Sequence, residues 1–361
     1  MTPSPLCEIT ARLNAVRAGL QREHLDALII ESRPNTLYLS GFDGTASLLL
    51  ITRRNAWLLV DFRYAERARR EVQGLRVQFA KKPLNEALGA LVKRVRAQSV
   101  GFEGSLSFDS VAAMRTALKP ARLRRCAALK DIRAVKSAYE ARQLRRAQAA
   151  AEKVFDGLLG ELRPGMTERD VHRRILERIE DAGLEGPSFD PIVASGPNSS
   201  MPHARSGSRR LRRRDIITID MGVRRAGYCS DMTRSVFFGP PTAEQRSIYD
   251  IVLAAQESGL AAIRAGARAR DVDAAARKFI ARHGHGKDFG HGLGHGVGVE
   301  IHEPPTLNAR SQDVLKEGAC VTVEPGIYLA GRFGVRIEDT VIVRPDGCEN
   351  LVHVPKSPLI L

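Results

Sequence analysis

Four acids set in otherwise apolar, β-branched stretches carry the chemistry open to this chain: Asp220, Asp231, Glu324 and Glu338. Residues 216–239 read as a β-hairpin, with two apolar runs around a segment of Arg, Ala and Gly. A turn centred between Arg225 and Ala226 sets Asp220 opposite Asp231, with Cβ atoms about 4.5–5.5 Å apart on one face. Residues 320–343 repeat the arrangement, and Gly331 at the loop centre sets Glu324 opposite Glu338. One such pair could be a solvated outward face. Two pairs need a cause, because desolvated, unpaired carboxylates are costly unless a cation sits among them.

Between the hairpins lies GHGLGHGVGVEIHE, residues 290–303, with His291, His295 and His302 among closely spaced glycines. That glycine density opposes a helix and favours backbone passing close to another group. Four carboxylates neutralise two divalent ions, and such a pair activates water for hydrolysis. Oxygen-rich ligation favours Mn²⁺, with Zn²⁺, Co²⁺ and Fe²⁺ also accommodated.

The ordered set IDMG, SDMTR, HGLGHGVGVEIHE, EPG and RIED resembles the M24 metallopeptidases of the pita-bread fold, which include methionine aminopeptidase, Xaa-Pro aminopeptidase and prolidase. The resemblance implies two metal ions held by Asp220, Asp231, His295, Glu324 and Glu338. The choice of His295 among the histidines comes from the resemblance alone. It further implies that Glu324 carries a proton from water to the leaving nitrogen, and that His203 and His302 bind the substrate carbonyl and stabilise the tetrahedral intermediate. His291 resembles a residue lining the pocket for a proline ring. Arg336 matches an arginine near the site, able to orient carboxylates, to meet a substrate's negative end, or to form a supporting salt bridge.

The segment NTLYLSGFDGTASLLLIT resembles the creatinase-like amino-terminal domain of Xaa-Pro aminopeptidases. This implies peptide substrates with proline in second position. Some microbial prolidases carry arginine four residues after the histidine matching His302, where this chain has Thr306. The expectation is therefore an Xaa-Pro aminopeptidase, with a dipeptide-restricted prolidase as the alternative. Metal-free creatinases and non-catalytic scaffolds share the fold, but the complete ligand set argues against both. Relatives commonly form dimers, so a homodimer is expected.

At 361 residues, two domains are expected. Residues 1–132 alternate strands (27–30, 47–52, 56–60, 75–79, 100–102) with helices (64–72, 84–96, 108–118), after a helix over 8–24, which describes an α/β domain. Residues 133–361 are expected to form the catalytic α+β pita-bread domain, with helices at 137–162, 167–182, 242–264 and 272–283. Two helix pairs and two hairpins in matching order suggest two similar halves around the metals.

No apolar run approaches the roughly 20 residues of a membrane span. The opening MTPSPLCEIT lacks a basic segment followed by an apolar one, so a cytoplasmic protein is expected. Five widely spaced cysteines without a CxxC pair read as reduced thiols, with Cys229 and Cys320 as small packing residues. The net charge of +15 invites a nucleic-acid reading, but the densest cluster, Arg205–Arg214, has no aromatic residue for base stacking, so nucleic acid is not an expected partner.

Overall fold

The computed structural model describes residues 5–361, so the first four residues of the opening stretch lie outside it. The chain divides into two compact units between Arg133 and Ala134.

In the first unit the apolar runs form one mixed sheet in the order Arg76–Phe79, Ala56–Val60, Ser47–Thr52, Ala27–Ile30, Ser99–Glu103 and Arg122–Cys126. Leu48, Leu50, Trp57 and Leu59 pack with Leu88, Leu91 and Val92 of the helix Leu84–Arg94. Two of the elements that were not expected have clear causes. Arg122–Cys126 (RLRRC) has no apolar alternation because it is an edge strand with mostly exposed side chains. The helix Arg33–Ser40 is hidden by Pro34, which is tolerated in the first turn, and Gly41 closes it at φ 72°.

The second unit contains two helix pairs, each packed on its own sheet. Ala138–Leu159 and Glu168–Asp181 begin at Ser137 and Thr167, both closed by capping boxes. Their apolar faces (Phe155, Leu158, Val171, Ile175) meet Ile217, Ile219 and Val236 in one core. The pair Ala243–Ala262 and Ala269–Arg282 meets Val321, Val323 and Val341 in a second core. Separate cores for the two halves agree with the expected twofold organisation. The metal-candidate residues lie where these halves join, and Glu338 N donates to the Thr233 carbonyl across that junction at 3.1 Å.

Register decides which acids meet. In the second hairpin, Val323 pairs with Asp339 and Gly326 with Arg336, which puts Glu324 opposite Glu338 around Gly331 (φ 72°), as expected. In the first hairpin, Arg225 pairs with Tyr228 and Asp220 with Thr233. The turn is therefore centred between Ala226 and Gly227, one position later than expected. A two-residue hairpin turn of this kind needs positive φ at both central residues, and Ala226 (50°) and Gly227 (77°) supply it. The partner of Asp220 shifts by two residues, so Asp231 lies diagonal to Asp220 on the same face.

Arg234, almost fully buried, ties this strand to the rest of the unit. It donates to the Glu338 carbonyl (2.6 Å), Asp339 Oδ1 (2.8 Å) and the carbonyls of Val354 (2.8 Å) and Pro355 (3.3 Å). Phe237 exchanges backbone hydrogen bonds with Leu359 and Leu361, both at 2.8 Å.

Candidate metal centre

A cleft of about 400 Å³ is lined by all nine residues singled out from the sequence: His203, Asp220, Asp231, His291, His295, His302, Glu324, Arg336 and Glu338. Asp231, His295 and Glu338 each offer a ligand atom within 4.8 Å of the other two. His295 Nε2 also lies 3.4 Å from Glu324 Oε1 and 3.5 Å from Asp231 Oδ2.

The histidine reports what belongs between these groups. His295 Nδ1 is 3.1 Å from the Gly296 carbonyl, which assigns the ring proton to Nδ1. Burial lowers the ring's pKa to about 4, so the imidazole is neutral. Its Nε2 lone pair then faces two carboxylates, an arrangement that favours a cation among them. Burial pushes Asp231 well above the usual carboxylate range, and the charges of Glu338, Asp220 and Glu324 push it further. Glu338 is raised by burial and by Glu324 and Asp220, and Glu324 is raised to about 7, chiefly by burial. Asp220 Oδ1 is a buried oxygen with no hydrogen-bond partner. These residues fit divalent cations, the hard ions that carboxylate oxygens and a neutral imidazole ligate.

Supporting side chains hold the acids in place. Arg336 is 4% exposed and donates Nη2 to Asp220 Oδ2 at 2.6 Å, Nε to Thr233 Oγ1 at 3.2 Å and Nη1 to the Tyr328 hydroxyl at 2.9 Å. Of the roles weighed for it, the contact with Asp220 displays two, a salt bridge and a means of orienting a carboxylate. Thr233 Oγ1 donates to Glu338 Oε2 (2.6 Å), and Thr322 Oγ1 donates to Glu324 Oε1 (3.1 Å). His291 Nδ1 bonds the Gly292 carbonyl at 2.8 Å, so its Nε2 accepts from Tyr328 at 2.9 Å. Glu168, fully buried, accepts from Ser195 N and Oγ (both 2.7 Å), from Asn198 Nδ2 and from Gly207 N (3.2 Å), fixing the two ends of the segment that carries His203. His302 packs edge-on to His295, with ring centroids 4.3 Å apart.

Sequence reasoning passed over Thr233, Thr322, Tyr328 and Glu168. The threonines sit two residues from Asp231 and Glu324, so the strand period of two could have placed them on the ligand face. Nothing local marks Tyr328 or Glu168. Cys229 and Cys320 are buried, as expected of packing residues. In the basic cluster, Arg209 is paired with Asp215 (2.7 Å) and Arg210 bonds the Gly165 carbonyl (2.6 Å).

Protonation of the crowded acids makes a prediction for the metal-free protein. Acids whose folded pKa is raised bind protons more tightly folded than unfolded, so they cost stability as pH rises through the folded value. His291 and His295, both lowered from 6.5 to about 4, cost stability only on acidification below 6.5. Between pH 6.5 and about 8, below the range where the buried thiols Cys126 and Cys320, raised to about 11 and 12, begin to count, the carboxylates therefore dominate. The melting temperature of chelated protein should fall as pH rises above 6.5, and divalent metal should stabilise more at the higher pH. A chelated melting temperature that is flat or rises over this range would contradict the crowding.

Residues 142–345 match metallopeptidase family M24, and residues 12–135 match the creatinase/prolidase N-terminal domain. A curated Xaa-Pro dipeptidase of Pyrococcus horikoshii is 34% identical, over 94% of this chain and 95% of its own. Among solved structures, an Xaa-Pro dipeptidase from Bacillus anthracis is 35% identical with a TM-score of 0.93, covering 98% of this chain and 100% of that one. An X-Pro aminopeptidase from Thermotoga maritima is 34% identical with a TM-score of 0.89, covering 95% of this chain and 100% of that one.

Fold and site together define a metal-dependent hydrolase built from a creatinase-type amino-terminal domain and a pita-bread domain. The chain belongs to metallopeptidase family M24. Among the described residues, no helix is long and apolar enough to cross a membrane.

Proposed function

We propose that the protein is an Xaa-Pro dipeptidase, a prolidase, that acts on peptides with proline in second position. The observation that carries this reading is the near full-length likeness to dipeptidases of two organisms. It reverses the order expected from Thr306, which had put the aminopeptidase first.

In this reading residues 1–132 form the creatinase-like domain and residues 133–361 the catalytic one. Asp220, Asp231, His295, Glu324 and Glu338 hold two divalent ions, with Mn²⁺ favoured by the four carboxylates. When bound, the ions polarise the scissile carbonyl and acidify water. Glu324, placed beside the attacking water as a ligand, takes its proton and delivers it to the leaving nitrogen. His203 and His302 face the cleft where charge develops on the carbonyl oxygen. His291, neutral and held by Tyr328, offers a flat wall to the proline ring. A cytoplasmic homodimer completes the reading, with no nucleic-acid partner.

One observation favours the aminopeptidase as the second reading. The single guanidinium among the cleft's described lining residues, Arg336, is committed to Asp220, and Thr306 is exposed rather than poised as a cation for a substrate carboxylate. Incubating Mn²⁺-loaded protein with Ala-Pro, Ala-Pro-Ala and Met-Ala-Ser separates the cases. Cleavage confined to Ala-Pro is the expected result. Cleavage of the tripeptide Ala-Pro-Ala would favour the aminopeptidase, and release of methionine alone would overturn the preference for proline.

A further inference from the structure

We infer that a second cavity, sharing no lining residue with the metal cleft, binds a compact polyanion carrying two or more phosphoryl groups. The cavity measures about 620 Å³ and lies where the helices Ala138–Leu159 and Glu168–Asp181 meet the tip of the first hairpin. Five cations line it: Arg146, Lys153, Arg174, Arg178 and Arg225. Arg146 and Lys153 are seven residues apart, two helical turns, and so share a face; Arg174 and Arg178 are four apart and share another. Two acids also line the cavity, Asp181 and Glu185, and Glu185 accepts from Gly227 N at 3.0 Å.

Arg174 and Arg178 are held in place, whereas Arg146, Lys153 and Arg225 are exposed at the cavity's rim. Arg174 and Arg178 share Glu161, and Arg174 Nη1 also reaches Glu177 at 2.9 Å. Arg178 lies against Gly157, where any Cβ would collide with the guanidinium. Its Nε is shielded from solvent and has no acceptor among the described residues. The positive-φ turn at Ala226 and Gly227 carries Arg225 back to the first helix, where its Nη1 lies 3.5 Å from the Arg146 carbonyl. Arg146, Lys153 and Arg225 have no acidic partner among the described residues.

Converging like charges repel, and an anion between them removes that cost. The three unpaired cations outnumber the two lining acids, of which Glu185 is engaged by Gly227 N, and guanidinium groups suit phosphate geometry through paired N–H donors. Ala149, Ala150 and Gly183 leave the floor open to a bulky ligand. The lining holds no aromatic side chain, so nothing there stacks a base, which favours a small phosphorylated molecule over single-stranded nucleic acid.

Calorimetric titration of the full-length protein, freed of metal so that the titrant cannot chelate active-site ions, with tripolyphosphate and with inorganic phosphate tests the site, and peptide hydrolysis is read separately on metal-loaded protein. Saturable, salt-sensitive binding is expected, tighter for tripolyphosphate. The triple variant Arg146→Ala, Lys153→Ala, Arg225→Ala should weaken it roughly tenfold or more while peptide hydrolysis continues at the parental rate. Absence of saturable binding, or equal binding by the triple variant, overturns the inference. So does a single-stranded oligonucleotide that displaces tripolyphosphate with higher affinity, because the surface would then be a nucleic-acid groove.

Discussion

Glu324→Gln should lower peptide hydrolysis by a factor of roughly 10³ or more while leaving the fold intact. The amide matches the carboxylate in shape but neither accepts a proton at the active pH nor binds a divalent ion as strongly. Glu324 is placed by the backbone as well as by its side chain: its N–H donates to the Leu293 carbonyl at 2.8 Å, and Thr322 Oγ1 reaches Oε1. The position should therefore survive the change. Removing one charge from a buried group of four acids also relieves repulsion, so the metal-free variant should melt no lower than the parent. Turnover and thermal melting on the same preparation provide the check. A variant that retained turnover within tenfold of the parent would remove Glu324 from the proton path.

Lys136→Met should destabilise the catalytic unit by about 3–5 kcal/mol, the range seen when one member of a buried ion pair is removed. Lys136 Nζ bonds Glu303 Oε1 with side chains only 1% and 2% exposed. Methionine fills much of the same volume but leaves the buried carboxylate without its ammonium. Glu303 also anchors the glycine-rich segment: it pairs with Gly296 just after a register shift, and its carboxylate fills the space where a side chain on Gly298 would go. The double variant Lys136→Met, Glu303→Leu removes both charges and should recover a large part of the loss. Urea unfolding of the three proteins measures this. A single-variant loss below about 1 kcal/mol would mean that the pair contributes no more than a surface salt bridge.

What the sequence revealed followed from period and charge. The strand alternation put four acids on ligand faces, and Gly331 fixed one hairpin's register correctly. The other register was misjudged by one turn position because alanine at positive φ is uncommon, and only the pairing of Arg225 with Tyr228 reveals that Ala226 adopts it. Elements without a marked pattern escaped: the arginine-rich edge strand Arg122–Cys126, and the helix opened by Pro34. The candidate ligand residues were recognisable because each sits in a dense local motif. Their supports, Tyr328, Glu168 and the Lys136–Glu303 pair, act across long stretches of chain with no local signature.

Arg234 has a consequence for how the molecule is made. Its strand leaves the ribosome with a guanidinium whose acceptors at Val354 and Pro355 lie 120 and 121 residues further along. Phe237 must likewise wait for Leu359 and Leu361. The half of the chain that contributes Asp220 and Asp231 therefore completes these hydrogen bonds only once residues 354–361 have been made, long after its own synthesis.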